Sequence, residues 1–230
     1  EDLLKRSFAT YLLVSRADTK EAEKKRDHRR QEEIHSLLWE DFEDHLAFLK
    51  ETGFVDETDA LTEDGKWASQ LRIDQPLVVA EGLRQGILPD DDPALLAAVM
   101  AAFVNERESN DRMEGRLLPN KLTKCMRRVQ KDLLGFMRHL ASRRFDVRHL
   151  YLRPAATLYA WARGIPWEMV ARDYEIAEGD LSMLILRTGD HLRHMRTLNQ
   201  VFPQAAQCAE DAMTAILRDP VVPDQGEGVR

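Results

Sequence analysis

The sequence predicts a mostly α-helical protein: a winged helix with a short β-hairpin, followed by an all-helical bundle. Three observations carry this. From Pro76 onward every segment repeats its apolar residues at helical spacing, and Gly86, Pro89, Pro93, Gly115, Pro119, Pro154, Gly164, Pro166 and Pro203 stand at plausible helix ends. Before that point, a helical stretch leads into Gly53 and two short apolar pairs, Phe54-Val55 and Ala60-Leu61, around a polar tip. That is the pattern of a two-stranded hairpin. Finally, 230 residues with 43% hydrophobic content suffice for real cores.

Taken in order, DLLKRSFATYLLV has helical spacing and runs into a connector, 15–33, of densely mixed charge. WEDFEDHLAFLKE (39–51) places Trp39, Phe42, Leu46 and Leu49 on one helix face, and with the hairpin it completes a winged-helix domain over 1–75. Helices are expected at 76–87, 93–105, 120–143, 154–163, 166–173, 178–199 and 203–218, forming a bundle over 76–218. The stretch ERESNDRMEGRLLP is the one long polar loop. The tail 219–230 has Pro, Gly and charge without periodicity, so disorder is expected there. The longest apolar run, PALLAAVMAAFV, is short of the roughly 20 residues of a membrane span. Without a secretory leader, and with Glu rather than Met at position 1, the chain reads as a cytoplasmic piece of a longer protein.

Several chemistries lack a signature. No GxxxxGK[ST] phosphate loop is present, so ATP hydrolysis by these residues is not expected. Cys125 and Cys208 are too few and too distant for a disulfide framework or a paired-Cys zinc site, and they read as free thiols. Cys125 and Ser182 sit in no nucleophile motif. His191 and His194, three apart, lack an evident third ligand and read as solvent-facing, so no metal and no cofactor is expected in these residues. The chain is read as non-enzymatic.

The net charge of −7 conceals an asymmetry. Residues 121–150 hold nine basic side chains against Asp132 and Asp146, hence +7, which leaves −14 for the other 200 residues. Helix 39–51 and segment 54–64 carry net charges of −4 and −5. Such charges repel the phosphates that dominate duplex affinity, so the winged helix is read as a docking module and not a DNA reader.

Two helix faces are candidate contacts. In 178–199 the residues Leu181, Leu184, Ile185, Thr188, Leu192 and Met195 form the stripe a core buries, while Met183, Arg187, Asp190 and His194 form a narrow line on the opposite side. Arginine on phosphate beside flat or polarisable groups is how a single strand is held with little sequence readout. The alternative is an Arg187–Asp190 surface ion pair, worth only about 0.2–0.5 kcal/mol. In 120–143 the apolar stripe is Leu122, Met126, Val129, Leu133, Phe136 and Leu140, and Lys124, Arg127, Arg128, Lys131 and Arg138 stand opposite. Of these, Lys124, Arg128 and Lys131 are taken as candidate phosphate contacts, with plain solvation or an acidic protein partner as alternatives.

The segments LLKRSFATYL, FLKETGFV, LTEDGKWAS, LVVAEGLRQGIL, LLAAVMAAFVNERE, LYAWARGIPWEMV and YEIAEGDL resemble the C-terminal winged-helix and helical DSHCT region of superfamily 2 DExH helicases, the superkiller, exosome-cofactor and HelY-like group. The resemblance covers residues 1 to about 218, and WARG followed by EGDL is its most specific part. It implies a fragment of an ATP-dependent helicase that docks on motor domains of the same parent chain, with ATP and Mg held there. The implied partner is single-stranded nucleic acid, RNA in preference to DNA. The resemblance also makes 178–199 a ratchet helix against the threaded strand, with the strand-contacting arginine at Arg187 and its acidic companion at Asp190. An arginine frequent in the family after the EG is Met183 here, and Gly189 replaces a helix-favouring residue at a cost of up to about 1 kcal/mol. The large insertions of some relatives would enter where this chain has only the connector 15–33. The competing reading is a stand-alone winged-helix regulator or adaptor that binds protein.

Overall fold

The computed structural model describes residues 39–105 and 109–222. The first predicted helix, the connector 15–33 and the tail beyond 222 lie outside the described residues. The chain divides into two compact units, Glu1–Glu51 and Thr52–Arg230. Of the first, helix α1 (39–51) is described. Within it the Trp39 and Phe42 rings lie 5.5 Å apart, and the Trp39 indole N–H donates to Glu43 at 2.8 Å.

The second unit is built from α2 (Glu63–Ala68), α3 (Pro76–Arg84), α4 (Pro93–Val104), a 3-10 turn (Gly115–Leu117), α5 (Asn120–Ser142), α6 (Leu152–Ala162), α7 (Trp167–Asp173), α8 (Glu178–Arg196) and α9 (Pro203–Ile216). The mostly helical expectation therefore holds, with the ends of the helices expected from Pro76 onward displaced by only a few residues, while α2 is not among those expected. Helix α6 starts two residues before Pro154, which the first turn tolerates because its N–H would have no partner there.

The hairpin expectation is corrected. No strand occurs among the described residues, and the predicted wing is a loop closed by one antiparallel bridge, Val55 with Leu61. Both arms are diverted before a ladder can form. Gly53 turns away at φ 77°, and Thr62 becomes the N-cap of α2, its hydroxyl accepting from the Gly65 N–H at 3.1 Å and donating to the Gly53 carbonyl at 2.8 Å. At the tip, the Asp56 carboxylate accepts from the Thr58 N–H (2.8 Å), the Thr58 hydroxyl (2.7 Å) and the Ala60 N–H (3.0 Å). Without strands among the described residues, the short β-hairpin expected of a winged helix is not supported.

Helix α4 is the centre of the unit. Every residue from Ala94 to Val104 is buried, and the helix touches α5, α6, α8 and α9. Asp92 starts it by accepting from the Ala94 and Leu95 N–H groups at 3.0 and 3.1 Å, with Pro93 in the first turn. Trp161 ties α6 to the end of α9. Its ring is fully buried, its N–H donates to the Ile216 carbonyl at 2.8 Å, and the Arg218 guanidinium lies 3.3 Å from the ring centroid. Within the polar loop, Asp111 caps α6 by accepting from the Leu152 and Arg153 N–H groups at 2.8 and 2.9 Å. Cys125 and Cys208 are free thiols, and burial pushes the Cys208 thiol up to about 12, so it stays protonated.

Two glycines separate a close approach from an ordinary helix position. A Cβ on Gly65 would stand 1.9 Å from the Phe54 carbonyl oxygen, whereas a Cβ on Gly135 of α5 meets nothing within 4 Å. Gly65→Ala should therefore lower stability by about 1–3 kcal/mol. Gly135→Ala should raise it by up to about 1 kcal/mol. Urea unfolding of the two variants beside the wild type measures both, and equal midpoints would contradict the packing of loop 53–62 on α2.

Candidate nucleic-acid interface

Helix α8 has Glu178 and Asp180 in its first turn and Arg193 and Arg196 in its last, each charge opposite in sign to the helix-dipole end it sits on. Its buried face comprises Leu181, Ile185, Thr188, Gly189, His191, Leu192 and Met195. The Thr188 hydroxyl satisfies itself on the Leu184 carbonyl at 2.7 Å. Gly189 has a packing role that its helix propensity hides: a Cβ there would stand 2.9 Å from Leu217 Cδ2, so its absence lets the end of α9 approach α8.

On the other face Met183 is 56% exposed, Asp190 is exposed, and Arg187 and His194 are half-buried. The structure gives Arg187 and Asp190 different partners. Asp190 pairs with Arg193, one turn on, at 2.6 Å. Arg187 reaches out of its helix to Asp74, in the link between α2 and α3, with Nη2 2.7 Å from Oδ2. The Arg187–Asp190 surface pair considered from spacing is therefore not the pairing found.

Arg187 also separates two clefts. One, of about 350 Å³, is lined by Met183, Leu184, Arg187, Ile176, Tyr174 and Asp180 among others. The second, of about 530 Å³, is lined by Arg72, Ile73, Asp74, Leu186, Asp190 and His191 together with Arg187. His194 lines neither. The α8 line thus offers an exposed thioether, a cation and an anion along two adjoining depressions.

Sequence reading missed the groups that hold Arg187. His191 is buried, not solvent-facing. Its Nε2 accepts from the Asp74 N–H at 2.8 Å and its Nδ1–H donates to the Arg187 carbonyl at 3.0 Å, a pattern that requires the neutral ring. Arg148 approaches the same carboxylate, Nη1 to Oδ1 at 3.6 Å, and its N–H donates to the Gln75 side chain at 3.0 Å. Asp74 lies 113 residues from Arg187, and no local signal announces such a pair.

Helix α5 presents the other candidates. Leu122, Met126, Val129, Leu133 and Leu140 are buried, and Phe136 is half-buried. Lys124, Arg128 and Lys131 are all exposed. Arg128 lies 3.7 Å from Asp132 and donates to the Gly86 carbonyl at 3.3 Å. None of the three lines either cleft beside Arg187. From the basic segment, Arg148 shares the Asp74 carboxylate with Arg187. No group of three or more His, Cys, Asp or Glu among the described residues is placed to hold a metal ion. No helix among them is long and apolar enough to cross a membrane.

The described residues thus form a helical bundle with an arginine-centred helix face beside two clefts. Residues 58–223 match the DSHCT (NUC185) domain, and the chain belongs to that family. Similar full-length proteins include the antiviral helicase SKI2 of Saccharomyces cerevisiae, 25% identical over 70% of this chain and 13% of that protein. The chloroplastic DExH-box ATP-dependent RNA helicase DExH15 of Arabidopsis thaliana is 26% identical over 91% of the chain and 18% of its own length. The ATP-dependent RNA helicase mtr4 of Schizosaccharomyces pombe is 25% identical over 74% and 16%. The chain thus spans less than a fifth of each of these relatives.

Burial holds the His191 pKa below its ordinary value, with the Arg187 charge adding to the effect and the Asp74 carboxylate opposing it. In the unfolded chain the imidazole protonates near its ordinary value of about 6.5. Stability from this site is therefore complete above about pH 6.5 and declines as pH falls from there toward the lower folded value. His191→Phe should flatten that part of the stability profile while lowering stability at pH 8, because the Asp74 N–H loses its acceptor. Thermal midpoints from pH 8 to pH 5 read this, and parallel profiles would contradict it.

Proposed function

We propose that the chain is the C-terminal part of an ATP-dependent DExH-box RNA helicase, and that α8 guides the translocating single strand. The observation that carries this is Arg187, partly exposed between two clefts with Met183 and Asp190 beside it, in a domain family whose relatives include RNA helicases by name. ATP and Mg would be held by motor domains of the same parent chain, against which this part docks. The fragment itself would contribute no catalytic step. Its residues would bind and orient: Arg187 on a phosphate, Met183 against a base, Asp190 and His194 as flanking polar contacts, and Lys124, Arg128 and Lys131 as a second phosphate-contacting face. Little sequence preference is expected of such a surface, because phosphates and base faces are common to all sequences. A stand-alone winged-helix regulator is less well supported, since the family match and the relatives named as helicases favour a helicase part.

Fluorescence anisotropy with a labelled single-stranded RNA tests the first face. Arg187→Ala should weaken binding by the chain and impair unwinding by the parent. Because Arg187 is paired with Asp74, the same change should also cost about 1 kcal/mol of stability, more than an unpaired surface residue would. Leu192→Ala is the control for unfolding, costing roughly 2–5 kcal/mol through a core cavity. Unchanged binding by Arg187→Ala would sink the strand-guiding reading.

The second face has its own test. Replacing Lys124, Arg128 and Lys131 together by Gln should flatten the salt dependence of RNA binding by up to three contacts, each about 0.7 in log–log slope. An unchanged slope would leave α5 as solvated surface.

A further inference from the structure

Three arrangements around Asp74 bear on how Arg187 is presented. The carboxylate is the more buried partner, its side chain 22% exposed against 33% for Arg187, so the guanidinium rests on it from the outer side. The residue itself is fixed from behind, its N–H on the buried His191 of α8. The next residue, Gln75, stands at φ 49° and accepts from the Arg148 N–H at 3.0 Å, so the link between α2 and α3 is tied to two other parts of the bundle. A carboxylate anchored in this way is a fixed post and not a latch that swings.

We infer that Asp74 is a positioning residue for Arg187, holding its guanidinium at the junction of the two clefts so that a strand phosphate meets a pre-oriented donor. This rests on the strand-guiding reading above. An arginine free on a helix surface loses rotamer freedom when it grips a phosphate, whereas one held by a carboxylate has already lost it. His191 acts one step further back, by holding the Asp74 backbone. The same carboxylate also offsets the mutual repulsion of Arg187 and Arg148.

The test uses the 230-residue chain and a fluorescein-labelled oligouridylate. Asp74→Asn keeps the shape and removes the charge, and it should weaken binding roughly two- to tenfold, the factor that ordering one long side chain represents. The loss should vanish in an Arg187→Ala background, and Asp74→Glu should recover part of it. Without RNA, the guanidinium NMR signals of Arg187 should broaden in Asp74→Asn as the restrained rotation is released. Unchanged or tighter binding by Asp74→Asn would overturn the inference, since a carboxylate that merely competes with phosphate gives tightening. An equal loss in the Arg187→Ala background would overturn it as well, because Asp74 would then act through the fold. If Asp74→Asn proves too unstable to titrate, the cycle of Asp74→Glu with Arg187→Ala makes the same decision. Should Arg187→Ala bind as the wild type does, the strand-guiding reading fails first and Asp74 loses its strand role with it, whatever the NMR shows.

Discussion

A helix with no exposed face dictates the arrangement around it. Ala94 to Val104 are all buried, so α4 has to be covered on every side, and α5, α6, α8 and α9 do so. Five of those eleven residues are alanine or glycine-sized in bulk, which lets the covering helices come close to the α4 backbone. Each covering helix spends one face on α4 and its neighbours. What remains to each is the opposite face, and the composition of that face decides what the protein can touch. On α5 it is basic, and on α8 it is the line from Met183 to His194.

The α8 line is not held by α8 alone. A single long cation on a helix surface would sample many rotamers, but Arg187 is drawn to Asp74, whose backbone N–H is held by His191 and whose carboxylate is approached by Arg148. Such a pair contributes little net stability, because taking two charges partly out of water offsets most of their attraction. Its value is geometric. It connects the α2–α3 link, the segment after α5 and the middle of α8 through one carboxylate, so three stretches far apart in sequence share one site.

Local order was legible in the sequence where a local signal existed. Helical periodicity with Pro and Gly punctuation located the helices from α3 to α9 to within a few residues, since burial of one stripe and capping are properties of consecutive residues. The wing was misread for an equally local reason. Phe54-Val55 and Ala60-Leu61 look like strand arms, but Thr62 and Gly65 commit the second arm to α2 after one bridge. The capping pattern of Thr62 before Glu63 was present in the sequence and outweighed two-residue apolar pairs. Gly189 reads as a propensity defect because its benefit lies with Leu217, a side chain just past the end of α9.

The same distinction separates what could and could not be read of the site. Spacing alone put Met183, Arg187, Asp190 and His194 on one side of α8, and the structure keeps them there while turning Arg187 toward Asp74 and Asp190 toward Arg193. Helical geometry specifies which side chains share a face, but it says nothing about where a flexible five-donor cation finds its anion. That choice follows from burial. Asp74 sits in a polar recess with its carboxylate partly withdrawn from water, where a cation lessens the cost of the charge, whereas Asp190 is exposed and has Arg193 one turn away. His191 follows the same logic, since a ring read as solvent-facing from its sequence neighbours is buried because the link carrying Asp74 crosses over it. The face of a helix is therefore a property of its own sequence, and the orientation of a charged group on that face is a property of whatever the fold lays beside it.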